Sequence, residues 1–378
     1  MSDAAHWLGT QLPAMEAALG ALVEQNSFTG NREGGQRVVR LLEDVFAMPG
    51  LEGERIGSER FADHLVFRSA GKGEPIALIG HLDTVFPPGT FEGYRVDGAL
   101  RRGPGVLDMK GGLVAIAWAL KAIASTVGLA AISPVRLVIV SDEEVGSPEG
   151  APLLRHVIAG SQYALVFESG RANDAIVTQR KGTGSARAVA TGKPAHAGNA
   201  YWEGANAIWA LSRFIDRVQG LSSRETGVTV NVGTITGGTS KNTVPAEARA
   251  ELDLRFPTKA LHDQLWVSLH AAAASLGVEG VQVKIEPLTG RIPMEKLPGT
   301  DALMKRYAAC AKAHGLAADE AAPQGGGSDG NTAAAMGIPT IDALGPRGKG
   351  FHTPDEYIEV DTLISRAQAL ADFLLVND

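Results

Sequence analysis

Short apolar runs alternate with longer amphipathic segments in the first half of the 378-residue chain, and this alternation limits the folds that the chain can adopt. The runs Ile76–Gly80, Val135–Val140 and Tyr163–Phe167 have the length and composition of buried strands. Between them, Gly112–Ser125 and Pro152–Ala159 have helical periodicity. Strands that alternate with helices favour a parallel or mixed sheet covered by helices. We therefore predict an α/β fold with a mixed, mostly parallel central sheet.

The pattern changes after about residue 181. Three segments alternate between apolar and polar residues, which predicts half-buried strands: Thr183–Thr191, Gly227–Thr236 and Ala248–Phe256. Two helix-like segments, Asn206–Val218 and Lys259–Leu276, lie among them. This part of the chain is predicted to be an α+β unit in which two helices cover one face of a small antiparallel sheet.

The helix-strand-helix pattern returns from about Arg291 and ends in a predicted helix, Asp361–Leu375. A chain of this length, with 44% hydrophobic residues, is too long for one typical domain. We predict a main domain in two parts, 1–181 and 292–378, and an inserted domain, 182–291.

Charge and composition exclude several classes of function. The formal net charge is −7 and no run of Lys or Arg is present, which argues against a nucleic-acid or anionic-membrane surface. The first residues have an acidic start and a helical rhythm instead of an export signal. A single cysteine, Cys310, rules out an internal disulfide and fits a reducing compartment. We expect a cytoplasmic protein that acts on small molecules.

The first candidate site residues follow the predicted strand Ile76–Gly80 directly. His81 and Asp83 are two residues apart, so in an extended chain they face the same side, and Asp83 can orient the imidazole of His81. By itself this pattern also suits a polar strand end with a capping aspartate. The carboxyl ends of strands in open α/β sheets are, however, where ligands bind.

A glycine loop, residues 103–112, carries Asp108 where a dinucleotide-binding loop would have its third glycine. A carboxylate at that position would repel a phosphate. The loop also lacks the Gly-Lys-Ser/Thr ending of a nucleotide P-loop. A carboxylate in a stiff loop suits a cation, and the two oxygens of Asp108 can bridge two metal ions. The remaining alternative is a turn that starts a helix.

Three consecutive carboxylates, Asp142 to Glu144, follow the strand Val135–Val140. Adjacent side chains point in different directions, so one glutamate can bind a metal ion while its neighbour takes a proton from water. A solvated acidic turn is the alternative for this cluster alone. Glu168 at the end of Tyr163–Phe167 and His352 before the last helix add further candidate ligands.

Together these motifs resemble the dizinc metallopeptidase family that contains aminoacylases, acetylornithine deacetylase, succinyl-diaminopimelate desuccinylase and the glutamate carboxypeptidases, most of all the last branch. In chain order the matching motifs are HLDTV (81–85), GPGVLDMKGG (103–112), SDEEVGS (141–147), VFESG (166–170), GKPAHAG (192–198), SKNTVPAEARAELDLR (240–255), GGGSDG (325–330) and FHTPDEYIEV (351–360). They span nearly the whole chain.

The resemblance implies a zinc-dependent hydrolase of N-acyl amino acids or small peptides with a free carboxylate. It implies two Zn²⁺ ions per subunit, which Co²⁺ or Mn²⁺ can replace. His81 and Glu168 would bind one ion and Glu144 and His352 the other, with Asp108 bridging. It also implies that Glu143 is the general base and that Asp83 orients His81.

The inserted domain is implied to be ferredoxin-like and to form a homodimer, in which His196 reaches the partner subunit's active site and stabilises the oxyanion. Asn242 and Arg255 match positions that hold a substrate carboxylate, and Gly326 and Gly327 are implied to line the substrate pocket. One departure weakens glutamate specificity. The branch can have a substrate-binding lysine where this chain has Ala175.

Three alternatives remain open on the sequence. One is an aminopeptidase or dipeptidase on the same fold, and another is a binding protein that has lost its chemistry. The third is a serine hydrolase, because residues 326–330 fit Gly-x-Ser-x-Gly around Ser328. The residues before that serine do not form a convincing apolar strand, which argues against a nucleophile elbow.

Overall fold

The computed structural model describes residues 2–274 and 276–376. Its helices are α1 (Asp3–Leu8), α2 (Leu12–Val23), α3 (Arg32–Val45), α4 (Gly111–Thr126), α5 (Gly150–Ile158), α6 (Ala207–Gln219), α7 (Lys259–Ala274), α8 (Thr300–Ala313), α9 (Gly330–Ala335) and α10 (Asp361–Leu375). Among the described residues, none of the helices combines the length and the apolar character needed to cross a lipid bilayer.

The strands are β1 (Leu51–Ile56), β2 (His64–Ser69), β3 (Ile76–His81), β4 (Arg95–Asp97), β5 (Leu100–Arg102), β6 (Val135–Val140), β7 (Tyr163–Val166), β8 (Gly182–Thr191), β9 (Ala195–His196), β10 (Thr229–Gly237), β11 (Thr243–Val244), β12 (Glu247–Phe256), β13 (Gln282–Arg291), β14 (Thr340–Ile341), β15 (Gly348–Lys349) and β16 (Tyr357–Glu359). The chain divides into two compact units. The smaller unit is Arg180–Glu295 with Gly325–Gly327, and the larger unit is the rest of the described chain. The domain bounds taken from the sequence remain a prediction.

The larger unit is built on a six-stranded sheet with the order β1-β2-β6-β3-β7-β14. Strands β6, β3, β7 and β14 run parallel, whereas β2 runs antiparallel to both of its neighbours, β1 and β6. Successive residues of β3 face opposite sides of the sheet: Ile76 and Leu78 enter one apolar core and Ala77 and Ile79 the other. Because both faces are buried, these strands are continuous apolar runs. The predicted mostly parallel α/β sheet is confirmed.

A second sheet of the larger unit has the order β15-β16-β5-β4. Its strands are only two or three residues long, and β4 is exposed along its length. The glycine loop with Asp108 follows β5, and the loop with His352 connects β15 to β16. This small sheet therefore sets the starting points of two candidate ligand loops.

The smaller unit has the element order β8-α6-β10-β12-α7-β13, apart from the short β9–β11 pair. Its antiparallel sheet has the strand order β10-β12-β8-β13, which is the ferredoxin-like arrangement that we predicted. Helices α6 and α7 bury their apolar sides against one face of this sheet. Alternate residues of β8 and β12 are buried, as the predicted alternation requires.

Candidate active site

Three neighbouring parallel strands of the large sheet end in polar residues. His81 is the last residue of β3, and Glu168 comes two residues after β7. Glu143 and Glu144 begin a short 3₁₀ turn after β6. Because the carboxyl ends of parallel strands meet at one edge of a sheet, these side chains are brought together.

Asp108 and His352 complete the group. Asp108 Oδ1 lies 3.4 Å from Nε2 of His81, which is also 3.7 Å from Glu168 Oε1. The other oxygen of Asp108, Oδ2, lies 3.4 Å from Nε2 of His352, which is 3.1 Å from Glu144 Oε2. The two carboxylate oxygens of Asp108 therefore face two different histidines, each accompanied by one glutamate.

The donor atoms of this group fit a metal ion. His81 Nε2 and Asp108 Oδ1 are buried and have no hydrogen-bond partner, so both remain available as ligands. Donor atoms of His81, Asp108 and Glu144 lie within 4.8 Å of one another, as do those of His81, Glu143 and Glu168. Imidazole nitrogen together with carboxylate oxygen is a donor set typical of zinc. By distance alone, Glu143 is as eligible a ligand as Glu144.

The pKa values of the group reflect crowded negative charge. Burial lowers the pKa of the His81 imidazole, but the surrounding carboxylates, Glu168 foremost, outweigh it and raise that pKa well above its ordinary range. Hydrogen bonds to Asp108 and Glu144 raise the pKa of His352 to about 10. Burial and the nearby charge of Asp108 raise the pKa of Glu168 to about 7. Since metal ligands are deprotonated, divalent cations would displace the protons that now balance this charge.

Asp83 connects two parts of the site. Its backbone oxygen lies 3.0 Å from Nδ1 of His81, and its carboxylate Oδ1 lies 3.3 Å from the same nitrogen. The carboxylate also accepts the backbone N–H groups of Glu143 (3.2 Å) and Glu144 (3.1 Å). The hydroxyl of Thr29 donates to it at 2.7 Å. Asp83 thus fixes the acidic turn as well as the imidazole, and no sequence pattern indicated its contact with Thr29.

Glu356 is a second side chain that the sequence analysis did not single out. It is fully buried, and its carboxylate accepts the backbone N–H groups of Gly105 (3.2 Å), Leu107 (2.8 Å) and Asp108 (3.0 Å). Burial raises its pKa to about 8 despite these donors. The available signal was its place in a matched motif, four residues after His352.

The other predicted site residues lie in the smaller unit. His196 and Asn242 are neighbours there, because β9 pairs with β11 and Ala197 N–H donates to the carbonyl of Asn242 at 2.9 Å. Both side chains are exposed. Gly326 and Gly327 also belong to this unit, and the carbonyl of Gly326 accepts a hydrogen bond from the Arg180 guanidinium at 3.3 Å.

Arg255 is held by its own strand. On β12 its Nε and Nη2 donate to the two carboxylate oxygens of Asp253, at 2.9 and 2.8 Å. The guanidinium fork that we predicted for a substrate carboxylate is therefore occupied by an internal carboxylate, two residues away on the same face of the strand. An incoming carboxylate would have to replace Asp253.

The serine-hydrolase alternative finds no support in the contacts of Ser328. The side chain is 1% exposed, and its hydroxyl donates to Oδ2 of Asp342 at 2.6 Å instead of to a histidine. Its backbone N–H donates to Asn331. Ser328 therefore stabilises the turn that leads into α9.

Comparison with known proteins assigns the chain to a family. The model of peptidase family M20/M25/M40 matches residues 77–376. Carboxypeptidase G2 of Pseudomonas sp. is 27% identical over 370 residues, which cover 96% of this chain and 89% of the relative. Acetylornithine deacetylase of Myxococcus xanthus is 32% identical over 274 residues, with 65% and 67% of the two chains covered.

Solved structures agree on the fold. The aminopeptidase PepT from Bacillus cereus superposes with a TM-score of 0.78 at 21% identity, covering 96% of this chain and 98% of the other. The resemblance predicted from the motifs is confirmed. The chain belongs to peptidase family M20/M25/M40, and it is a metallohydrolase that acts on amide bonds.

Proposed function

We propose that the protein hydrolyses the amide bond of N-acyl amino acids or small peptides that carry a free carboxylate, with two Zn²⁺ ions bound per subunit. The observation that carries the proposal is the placement of Asp108 between two histidine-glutamate pairs. The similarity to a carboxypeptidase and to a deacetylase supports the substrate class. An aminopeptidase or dipeptidase is the second candidate, favoured by the likeness to the PepT fold.

In this proposal Asp108 would be shared by the two metal ions. His81 and Glu168 would hold one ion together with Asp108, and Glu144 and His352 would hold the other. The distances of 3.1 to 3.7 Å between neighbouring donor atoms support these pairs. Co²⁺ or Mn²⁺ would suit the same donors.

Bound metal ions would supply Lewis-acid polarisation of the scissile carbonyl and acidify a water molecule. The carboxylate of Glu143 takes a proton from the attacking water and then delivers it to the amine nitrogen as the amide C–N bond breaks. The carboxylate of Asp83 keeps Glu143 in place by accepting a hydrogen bond from the backbone N–H of Glu143. His196 donates a hydrogen bond to the developing oxyanion.

The substrate class can be tested with a panel of N-acetyl, N-succinyl and N-aroyl amino acids and dipeptides, each compared with its α-carboxamide. We expect the wild type to prefer the free acids, because Arg255 exchanges Asp253 for the substrate carboxylate. Arg255→Ala should lower kcat/KM for the free acids by about 10- to 30-fold. This loss is smaller than that expected for a fully desolvated charge pair, because one third of the Arg255 side chain is exposed. The substitution should barely change kcat/KM for the amides.

Arg249→Ala is the matched control, since Arg249 lies on the same strand and pairs with Glu247 at the surface. It should leave the preference for free acids intact. Equal hydrolysis of acids and amides by the wild type would favour the aminopeptidase alternative. A metal-loaded protein that hydrolyses nothing in the panel would favour a binding protein.

We propose further that the protein is a homodimer formed through the smaller unit. Strand β10 is an edge strand of its sheet, and at its start the Ser222 hydroxyl pairs with the backbone N–H and C=O groups of Val230. Exposed apolar side chains lie on β10 and on α6, which packs against it, with 54% of Ile235 and 50% of Trp209 accessible to solvent. Apolar surface of this kind is typical of protein interfaces. In such a dimer the exposed His196 would serve the partner subunit's active site.

A shared active site predicts complementation. His196→Ala and Glu143→Ala should each be nearly inactive, but a mixture of the two that has exchanged subunits should regain activity, because one site of each heterodimer is intact. Subunit exchange is verified with differently tagged chains. Exchange without recovered activity would contradict a role of His196 in the partner subunit.

The cytoplasm is the compartment that we propose. Cys310, the single cysteine, is a free thiol and is partly buried in α8. Burial raises the pKa of this thiol, so it is protonated and poorly reactive near neutral pH. A protein without disulfides fits a reducing compartment.

A further inference from the structure

The loop that carries Asp108 has its backbone amides gathered on one buried carboxylate. Oε1 of Glu356 accepts the N–H groups of Leu107 and Asp108, and Oε2 accepts that of Gly105. Buried N–H groups need acceptors, and a carboxylate that binds three of them fixes the peptide planes of the loop. One of the three amides is that of Asp108 itself, so Glu356 holds the loop at the residue whose carboxylate faces the two histidines.

Glu356 and His352 lie in the same hairpin. Strands β15 and β16 are antiparallel, with Lys349 opposite Tyr357, so residues 350–356 form the connecting loop. This loop brings His352 Nε2 to 3.4 Å from Oδ2 of Asp108. This short segment thus supplies His352, a candidate metal ligand, and also Glu356, which holds the loop of a second candidate ligand, Asp108.

We propose that Glu356 is a positioning residue that sets the orientation in which the two oxygens of Asp108 face His81 and His352. This inference rests on the proposed function, in which Asp108 bridges two metal ions. A loop released from Glu356 could turn the Asp108 carboxylate, and both metal positions would change together. Metal affinity would then fall at both positions.

The carboxylate is required for chemical reasons. A glutamine at this position has one acceptor oxygen and one NH₂ group, and the NH₂ group would face an N–H donor of the loop. One amide would lose its partner inside the protein, where an unsatisfied donor is costly. An aspartate keeps both acceptor oxygens but is one methylene shorter.

The test is the affinity of the full-length protein for zinc, measured by competition with a fluorescent chelator. We expect Glu356→Gln to bind zinc about 10- to 100-fold more weakly than the wild type, the usual effect of removing a partner that orients a ligand. Glu356→Asp should recover part of the affinity. Glu359→Gln, the same change three residues further along, should bind zinc like the wild type, because Glu359 is partly exposed and pairs with Arg347.

Circular dichroism of the metal-free proteins verifies that the variants are folded. A folded Glu356→Gln protein with wild-type zinc affinity overturns the positioning role. An equal loss in Glu359→Gln also overturns it, because the effect would then belong to the hairpin as a whole. If Glu356→Gln does not fold, Glu356→Asp takes its place under the same criteria. A wild-type protein that binds no zinc refutes the proposed function itself, which is a different outcome.

Discussion

Glu143→Ala is expected to lower kcat by about 10²- to 10⁴-fold, the range for a lost general acid–base group, while two metal ions stay bound. A carboxylate oxygen of Glu143 lies within 4.8 Å of donor atoms of His81 and Glu168. In the proposed mechanism it transfers a proton and does not coordinate a metal ion. Turnover and metal content, measured on the same preparation, check this expectation.

Glu144→Ala is the matched comparison, because it makes the same change one residue further along. Its carboxylate is 3.1 Å from Nε2 of His352, so its loss should reduce metal binding as well as turnover. Treatment with a chelator should abolish activity of the wild type, and zinc should restore it. A Glu143→Ala protein that has lost a metal ion would exchange the roles of the two glutamates, and one with near wild-type turnover would remove the proposed base.

Much of the fold could be predicted from the sequence because the central strands are buried on both faces. Such strands are continuous apolar runs, and β6 and α10 lie where the runs and periodicity indicated. Strand β13 was missed. It is an edge strand interrupted by Pro287 and Gly290, with an irregular register between Pro287 and Thr289, so it lacks a regular alternation. The strands of the sheet β15-β16-β5-β4 are two or three residues long, which is too short for an alternation of apolar and polar residues to be recognised.

The site followed from the same logic only in part. Polar residues at the ends of parallel strands could be grouped from the sequence, because the topology brings those ends to one edge. The pairing of ligands around Asp108 came from the family resemblance. The contact of Glu356 with the Asp108 loop joins residues 248 positions apart, and no local pattern encodes it. Arg255 and Asp253 lie two residues apart, so both charges could be placed on one face of a predicted strand. The two hydrogen bonds from the Arg255 guanidinium to the Asp253 carboxylate could not be predicted.

We expect Asp174→Asn to lower the free energy of unfolding by about 3–5 kcal/mol, the usual cost of breaking a buried ion pair. The Asp174 carboxylate is 3% exposed and accepts hydrogen bonds from Arg347, at 2.9 and 2.6 Å, and from Arg366, at 3.2 Å. The side chain of Arg366 is completely buried, so losing this carboxylate leaves its charge without compensation. Asn also tolerates the left-handed backbone of residue 174, φ 57°, so the substitution isolates the charge.

The interaction of Asp174 with the two arginines also predicts how the free energy of unfolding changes in acid. Burial opposes ionisation, but the hydrogen bonds from Arg347 outweigh it and hold the pKa of Asp174 below its ordinary value. A depressed folded-state pKa contributes stability that is fully present above the ordinary aspartate pKa and is lost as the pH falls through the folded-state pKa. The difference in stability between wild type and Asp174→Asn should therefore be constant near neutral pH and shrink in acid.

Urea unfolding of the metal-free proteins, followed by circular dichroism at a series of pH values, measures this difference. Asp319→Asn is the matched control in the same unit. Asp319 is 76% exposed and pairs with Lys312 at 3.0 Å, so the control should cost at most about 1 kcal/mol. If both substitutions cost the same, the buried arginines do not depend on Asp174. If the cost of Asp174→Asn instead grows in acid, the carboxylate is protonated more readily in the folded protein than in the unfolded chain, and the assigned direction of its pKa is wrong.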